Sequence, residues 1–177
     1  MGEMAEPFID SIYRHCLGFR FKEAEQEIGK ALEAGVPRSE IMNGLVRALE
    51  EACRRYEEGR FCVAHLYAVA SIFDRGYRLV RIAAKPKGKV LICTMGSMHY
   101  MGKNIVKLLL LADGFEVHDL GENVSPSQVV EAVERARPDV VALSVLLMAC
   151  LPLQKEVERM LRERGLRSRV KLMVGGV

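Results

Sequence analysis

The stretch KVLICTMGSMHYMGKNIVKLLLLADGFEVHDLG, residues 89–121, contains two strand patterns separated by one helix pattern. KVLIC is a short apolar run with β-branched residues, GKNIVKLLLLAD has helical apolar spacing, and FEVHDL has the composition of a second strand. Two strands joined by a helix of this length form a right-handed βαβ unit with parallel strands. The stretch therefore predicts a parallel sheet, and it places His99 at the turn between the first strand and the helix.

The same alternation continues to the end of the sequence. SPSQVVEAVERAR is a helix pattern with Ser125 as its N-cap and Pro126 at its first position. DVVALSV, LPLQKEVERMLRERG and VKLMVGG then read as strand, helix and strand. We expect an α/β, Rossmann-like (flavodoxin-like) domain. Because the sequence stops at Val177, directly after a strand, we expect it to lack the C-terminal strand and helix of such a sheet.

Residues 1–84 show only helical spacing, in four segments that predict a small four-helix bundle. Gly35 and Pro37 should end the second helix, Ser39 should cap the third, and the fourth should run from about Phe61 to Ala84. KPKG, residues 85–88, is a polar linker. The predicted domains are therefore 1–84, a helical domain, and 89–177, the parallel-sheet domain.

Composition excludes several classes of function. The 177 residues carry a net charge of only +3 without a basic tract, which argues against nucleic-acid binding. No apolar run reaches about 18 residues, so no membrane span is expected, and the acidic N-terminus is not a secretory signal. The five cysteines are odd in number and form no CxxC pair, which favours reduced thiols in a cytoplasmic protein.

Ligands of open parallel sheets bind beyond the carboxyl ends of the strands. Here those ends are TMGSMHYMG after the first strand, Ser144 in the third, and Gly175 with Gly176 in the fourth. Neither GxGxxG nor GxxxxGK[ST] is present, so dinucleotide and P-loop sites are not indicated.

These segments resemble the cobalamin-binding domains of methionine synthase and the methyltransferase corrinoid proteins, which carry DxHxxG, then SxL, then GG. This sequence has SMHYMG from Ser97 to Gly102, SVL from Ser144 to Leu146, and the glycine pair. The intervening residues, 103–143 and 147–174, give gaps of the family's length. The helical half, with IMNGLVRALEEACRRYEEGRF, is similar to the family's cap domain.

The resemblance implies a cobalamin or related corrinoid with its cobalt ion, and His99 as the lower ligand of that cobalt. A neutral imidazole is a good ligand for such an ion. Small residues would leave room for the nucleotide tail of the cofactor beside the sheet. The implied cofactor-binding residues are Gly96, Ser97, Met98, His99, Tyr100, Met101, Gly102, Ser144, Leu146, Gly175, Gly176 and, in the cap, His65.

The implied function is that of a methyl carrier, which holds the cofactor but catalyses neither transfer alone. The implied partners are a substrate-specific methyltransferase, an acceptor methyltransferase that uses tetrahydrofolate or a thiol, and a reductive activase. Two alternatives remain: a cobalamin-dependent sensor or photoreceptor-like module, and a corrinoid-free scaffold. The sequence departs from the family motif at Ser97, where the family has an acid, and at Tyr100, where it has a second one. A neutral serine is a weaker hydrogen-bond acceptor than a carboxylate and should hold His99 loosely.

Overall fold

The computed structural model describes residues 2–81 and 85–176. The chain divides into two compact units, residues 1–84 and 85–177. The first unit consists of α1 (Gly2–Leu17), α2 (Phe21–Glu33), α3 (Arg38–Glu57) and α4 (Val63–Val80). Helices α1 and α4 each pack against both α2 and α3. The first unit is therefore the expected four-helix bundle, and its core includes the fully buried Ile12, Ile28, Leu45, Leu49 and Phe73.

Two helix starts differ from the prediction. Helix α3 begins at Arg38 with Pro37 as its N-cap, so Ser39 lies inside the first turn and the expected cap is wrong. The φ of −55° at Pro37 already suits a helix start, and a proline loses no hydrogen bond there. Helix α4 begins at Val63, two residues after the predicted start at about Phe61. The last residues of the predicted helix, 82–84, lie outside the described part of the chain.

The second unit alternates strands and helices as predicted. Its strands are β1 (Lys89–Thr94), β2 (Glu116–Asp119), β3 (Val140–Val145) and β4 (Lys171–Gly176), and its helices are α5 (Met101–Ala112), α6 (Pro126–Ala136) and α7 (Leu151–Glu163). All strand pairs are parallel, and the order is β2-β1-β3-β4. Ser125 caps α6 as expected, since its Oγ accepts a hydrogen bond of 3.3 Å from the backbone N–H of Gln128.

The two faces of the sheet have different coverings. On one face Leu91, Cys93 and Leu143 pack with residues of α6 and α7 in a large buried core. On the other face Val90, Ile92 and Ala142 pack with Leu110 of α5 in a smaller cluster. The direction of winding reverses between β1 and β3. Helix α5 connects β1 to β2 on one side of β1, and α6 then connects β2 to β3 on the other side of β1. A crevice at the carboxyl ends of these two strands is where parallel sheets bind ligands.

Candidate functional site

The loop after β1 presents His99 at the carboxyl end of the sheet. The His99 and Met98 side chains are exposed, and Met98 is 65% accessible. Tyr100 is the N-cap residue of α5, and its carbonyl accepts a hydrogen bond of 2.9 Å from the N–H of Asn104. Met101 opens that helix. Within the described residues His99 is exposed and its ring makes no hydrogen bond, so the ring is accessible to a ligand.

Ser97 does not orient His99 in this structure. Its side chain is buried, and its Oγ has no hydrogen-bond partner among the described residues. A buried hydroxyl without a partner costs free energy. The absent hydrogen bond agrees with the hypothesis that serine holds the imidazole loosely, and it leaves a buried polar atom that a ligand-induced change in the loop could satisfy.

A cavity of about 380 Å³ opens on the α5 face of the sheet. It brings together predicted residues from all three sequence segments: Gly102 after β1, Ser144 in β3, and Gly175 and Gly176 in β4. The sequence separates these residues widely, but the parallel register places Ser144 beside Gly175. Leu146 does not line the cavity; it lies exposed just after β3. The cavity has the position expected for a slot that receives an elongated, partly apolar ligand.

The four predicted glycines do not all make room for a ligand. A Cβ at Gly102 or Gly175 would meet nothing within 4 Å, so these two positions face open space. A Cβ at Gly96 would lie 2.6 Å from the Sγ of Cys150, and Gly96 has a φ of +64°. A Cβ at Gly176 would lie 1.8 Å from the carbonyl oxygen of Val145. Gly96 and Gly176 are therefore needed for packing within the protein itself.

The floor of the cavity consists of residues that the sequence reading did not select. Ile92, Ala142 and Met173 form one row across β1, β3 and β4, and all three line the cavity. Val106 of α5 and Val174 also line it and are exposed. Period-2 alternation in the strands could have identified the row, since Ile92 and Ala142 precede the polar strand ends by two residues. The floor is apolar, as a slot for an aromatic ring requires.

Lys103 closes the side of the cavity next to α5. Its side chain is 1% exposed, and its Nζ lies 2.6 Å from both carboxylate oxygens of Asp119. Asp119 also accepts hydrogen bonds from Lys107 and from the N–H of Gly121. Burial raises the pKa of Asp119, but these hydrogen bonds outweigh burial and hold the pKa below its ordinary value. The ionised pair ties α5 to β2 beside the slot.

The carboxyl ends of β1 and β3 carry an exposed apolar rim. Besides Met98, it contains Leu146, Leu147 and Met148, whose exposed fractions are 46%, 44% and 70%. Large apolar side chains clustered at an exposed strand end are typical of a binding surface. The rim suits a wide, mostly apolar ligand that lies across the end of the sheet.

His65, in the first unit, has a structural environment. Its ring lies 5.0 Å from the ring centroids of both Phe19 and Phe61, and its Nδ1 accepts a hydrogen bond of 3.0 Å from the N–H of Cys62. In the neutral ring the proton is then on Nε2, which cannot donate an electron pair to a metal. His65 remains a predicted cofactor contact, and cobalt ligation by it would require a change of tautomer.

The other donor groups do not form a metal site of their own. No group of three or more His, Cys, Asp or Glu side chains that could hold a metal occurs in residues 2–81 and 85–176. Burial raises the pKa of the Cys16 and Cys93 thiols to about 12, so neither is a thiolate. In the same ranges no helix is long and apolar enough to cross a bilayer. If a macrocycle carried the metal, the protein would need to supply a single ligand, and the exposed His99 ring could supply it.

The arrangement fits a corrinoid by its shape and its unsatisfied groups. The slot has an open position at Gly175 and an apolar floor. Two buried hydroxyls, of Thr94 and Ser97, lack hydrogen-bond partners in the described part of the chain. Both lie at the carboxyl end of β1, the first in the strand and the second in the loop. The residues present therefore suit a ligand with a flat apolar disc and a narrower polar tail.

Comparisons with known proteins agree with this geometry. A family model described as "B12 binding domain" matches residues 88–177. The chain is 33% identical over 156 residues to dimethylamine corrinoid protein 2 of Methanosarcina mazei, across 84% of this chain and 73% of that protein. It is 34% identical over 162 residues to the trimethylamine corrinoid protein of Methanosarcina barkeri, across 86% of this chain and 75% of that protein.

Two solved structures have a similar fold. The methanol:cobalamin methyltransferase complex MtaBC from Methanosarcina barkeri gives a TM-score of 0.73 at 27% identity, over 96% of this chain and 67% of that chain. A cobalamin-binding protein from Desulfitobacterium hafniense DCB-2 gives a TM-score of 0.73 at 24% identity, over 96% of this chain and 83% of that chain. The predicted Rossmann-like fold with a helical bundle is confirmed.

The family model covers all four strands of the second unit, together with the His99 loop, Ser144 and the glycine pair. The predicted resemblance and the predicted cofactor class, a corrinoid with its cobalt, are confirmed by this match and by the corrinoid-protein relatives. The chain belongs to the B12 binding domain family.

Proposed function

We propose that this protein is a corrinoid-binding methyl carrier of a methyltransferase system. The observation that supports the proposal is the slot on the α5 face, where Gly102, Ser144 and Gly175 meet beside the exposed His99. A bound corrinoid supplies a cobalt centre that can accept and donate a methyl group. The protein's own contribution is to hold the macrocycle and its tail and to present an imidazole to the metal.

Each part of the site has a proposed role. His99 is the lower cobalt ligand, and the loop from Gly96 to Met101 positions it. Gly102, Ser144, Gly175 and Gly176 form the tail slot, in which the Ser144 hydroxyl supplies a hydrogen bond. Leu146 and Met98 contact the macrocycle on the apolar rim. Residues 1–84 act as a cap that shields the cofactor from water, and His65 is a cofactor contact from that cap.

The proposed partners are methyltransferases. The relatives are named for dimethylamine and trimethylamine, and the MtaBC structure for methanol. We infer that a substrate-specific methyltransferase loads the carrier, an acceptor methyltransferase unloads it, and a reductive activase restores cobalt to its reactive oxidation state. Substrate choice would then lie in the loading enzyme, because the slot and rim recognise only the cofactor.

Reconstitution tests cofactor binding directly. The purified chain, mixed with hydroxocobalamin and passed through a gel-filtration column, should elute red with the cofactor in stoichiometric amount. His99→Ala should bind more weakly and lose the nitrogen hyperfine splitting of the cobalt(II) form in electron paramagnetic resonance. His118→Ala is the matched control, since His118 is another partly exposed histidine of the same unit and is paired with Glu116. A colourless wild-type protein would refute the proposal and leave the corrinoid-free scaffold.

Partner choice can be tested after reconstitution. The red protein is incubated with trimethylamine, dimethylamine or methanol and the matching purified methyltransferase. A change of the cobalt absorption spectrum to that of the methylated form should occur with one loading enzyme and its substrate. Failure with every loading enzyme, although the cofactor is bound and reduced, would instead favour the sensor alternative.

A further inference from the structure

Thr94 carries a hydroxyl to which the proposed function assigns no role. It is the last residue of β1, its side chain is 0% exposed, and its Oγ1 has no hydrogen-bond partner in the described ranges. Valine has nearly the same shape, fits a buried strand, and would avoid the cost of burying an unpaired hydroxyl. An unpaired buried hydroxyl at a strand end beside a binding slot indicates a partner that arrives with the ligand.

The register of the sheet identifies the neighbour of this hydroxyl. Thr94 pairs with Ser144, and Ser144 pairs with Gly175, so the three form one row across β1, β3 and β4. The row has the same orientation as Ile92, Ala142 and Met173, two residues earlier, which form the cavity floor. Ser144 and Gly175 line the cavity, whereas Thr94 lies behind Ser144 on the side away from Gly175.

Neighbouring strands lie about 4.8 Å apart, so hydroxyls at paired positions on one face come within hydrogen-bond reach after a change of rotamer. In the structure the two hydroxyls are not bonded to each other, since the Oγ1 of Thr94 has no partner. A serine hydroxyl has one proton to donate and two lone pairs that accept. If Ser144 donates its proton into the slot, its oxygen can accept the proton of Thr94.

We propose that Thr94 is a positioning residue that directs the Ser144 proton toward a hydrogen-bond acceptor on the nucleotide tail, and so makes the slot selective for a tail base with an unprotonated ring nitrogen. The inference rests on the proposed function, because it concerns the same slot. The free protein bears the cost of an unpaired hydroxyl, and the tail removes that cost by ordering both hydroxyls in one chain of hydrogen bonds.

Three cofactor probes separate this role from simple packing. Cobalamin has a benzimidazole base with a ring nitrogen, a p-cresol-tailed cobamide fills the slot with a ring that lacks nitrogen, and cobinamide lacks the whole nucleotide tail. Each is titrated by absorbance into the wild type, Thr94→Val and Thr94→Ser. Thr94→Val removes only the hydroxyl at nearly constant shape, and Thr94→Ser retains it.

We expect the wild type to bind cobalamin about tenfold more tightly than the p-cresol cobamide, the range of one or two hydrogen bonds. Thr94→Val should reduce that preference by about fivefold and leave cobinamide binding unchanged, while Thr94→Ser should keep the preference. The cofactor-free Thr94→Val protein should also melt at a higher temperature than the wild type. A higher melting temperature together with a weaker preference for cobalamin over the p-cresol cobamide is a combination that a merely structural threonine does not produce.

The contrary outcomes are distinct. An equal loss of affinity for all three probes in Thr94→Val would mean that Thr94 only supports the packing of β1. An unchanged preference of Thr94→Val for cobalamin over the p-cresol cobamide would mean that Ser144 needs no partner. Either result overturns the inference while the proposed function stands. If the wild type binds none of the three probes, the proposed function fails and this inference fails with it.

Discussion

Gly175 and Gly176 are adjacent in β4, but Gly175 faces open space and Gly176 packs tightly against Val145 of β3. A Cβ at Gly175 would have no atom within 4 Å, whereas one at Gly176 would lie 1.8 Å from the carbonyl oxygen of Val145. Gly176 also has a φ of +118°, which side chains of L-residues rarely adopt. Gly175 therefore faces open space in the cavity, whereas Gly176 permits β4 to pack against β3.

The two glycines should respond differently to substitution. Gly175→Leu should leave the melting temperature nearly unchanged, because leucine suits a strand better than glycine does. It should weaken cobalamin binding by roughly 100-fold by filling the slot, which corresponds to about 2.8 kcal/mol. Gly176→Ala should lower the stability of the second unit by about 2 kcal/mol or more, the range for strained backbone positions. Thermal melts followed by circular dichroism and cobalamin titrations give both quantities. Unchanged cobalamin affinity in Gly175→Leu would show that the tail does not occupy this slot.

The Lys103–Asp119 pair should make stability depend on acid pH. The pKa of Asp119 is lower in the folded protein than its ordinary value. Its contribution is therefore fully present above about pH 4, the ordinary aspartate value, and is lost as the pH falls through the folded pKa. Asp119→Asn should abolish the loss of stability that protonation of Asp119 causes at acid pH. It should also lower the free energy of unfolding at neutral pH by about 3 kcal/mol, because it leaves the buried Lys103 without its counter-ion.

Asp113→Asn is the control for that experiment. Asp113 pairs with Lys87 at 2.6 Å, but the two side chains are 62% and 58% exposed. Exposed pairs contribute at most about 1 kcal/mol, so this substitution should change the free energy of unfolding only slightly. Equal effects of the two substitutions in chemical unfolding from pH 2 to pH 7 would contradict the assignment of the buried pair.

Ser97→Asp should strengthen the lower ligation of the cobalt. In the reconstituted cobalt(II) protein, a carboxylate would orient His99 and make its nitrogen a better donor. The nitrogen-ligated fraction in electron paramagnetic resonance at neutral pH should rise, and the reduction potential should fall. Ser97→Asn, which has the same shape without the charge, should give a smaller change. A wild-type protein that is already fully nitrogen-ligated, with neither quantity altered by the substitution, would make the serine a neutral variation.

Cys62 should react faster than the Cys16, Cys53 and Cys93 thiols. It is exposed, and hydrogen bonds from the backbone N–H groups of His65 and Ala64 lower its pKa. Burial raises the pKa of Cys16, Cys53 and Cys93. Iodoacetamide at pH 7 should therefore label Cys62 before Cys16, Cys53 and Cys93, as read by peptide mass spectrometry, and His65→Ala should retain this order because the backbone donors remain. Faster labelling of Cys93 would contradict the burial of β1.

Local patterns in the sequence were sufficient for the element order of both units. The helical spacing of residues 1–84 and the alternation after residue 89 depend on which face each residue presents, and this periodicity is a property of the backbone itself. The Ser125 cap was likewise readable, since its side chain bonds within its own helix turn. The prediction of Ser39 as a cap was wrong because Pro37 occupies the N-cap position two residues earlier. The fixed φ of proline suits a helix start without a side-chain hydrogen bond.

Motif spacing also predicted His99, Gly102, Ser144 and Gly175 as site residues, because the family pattern records where strands end, and the structure brings the last three together in one cavity. The sequence by itself thus determined the fold class, the cofactor family and the segments that meet at the site. Only the tertiary structure distinguished the roles of the glycines, since whether a missing side chain makes room for a ligand or for the protein depends on what lies opposite it. Parallel pairing across β1, β3 and β4 likewise placed Thr94 beside Ser144, fifty residues away along the chain, because residues of different strands become neighbours only when the strands pair in the folded sheet.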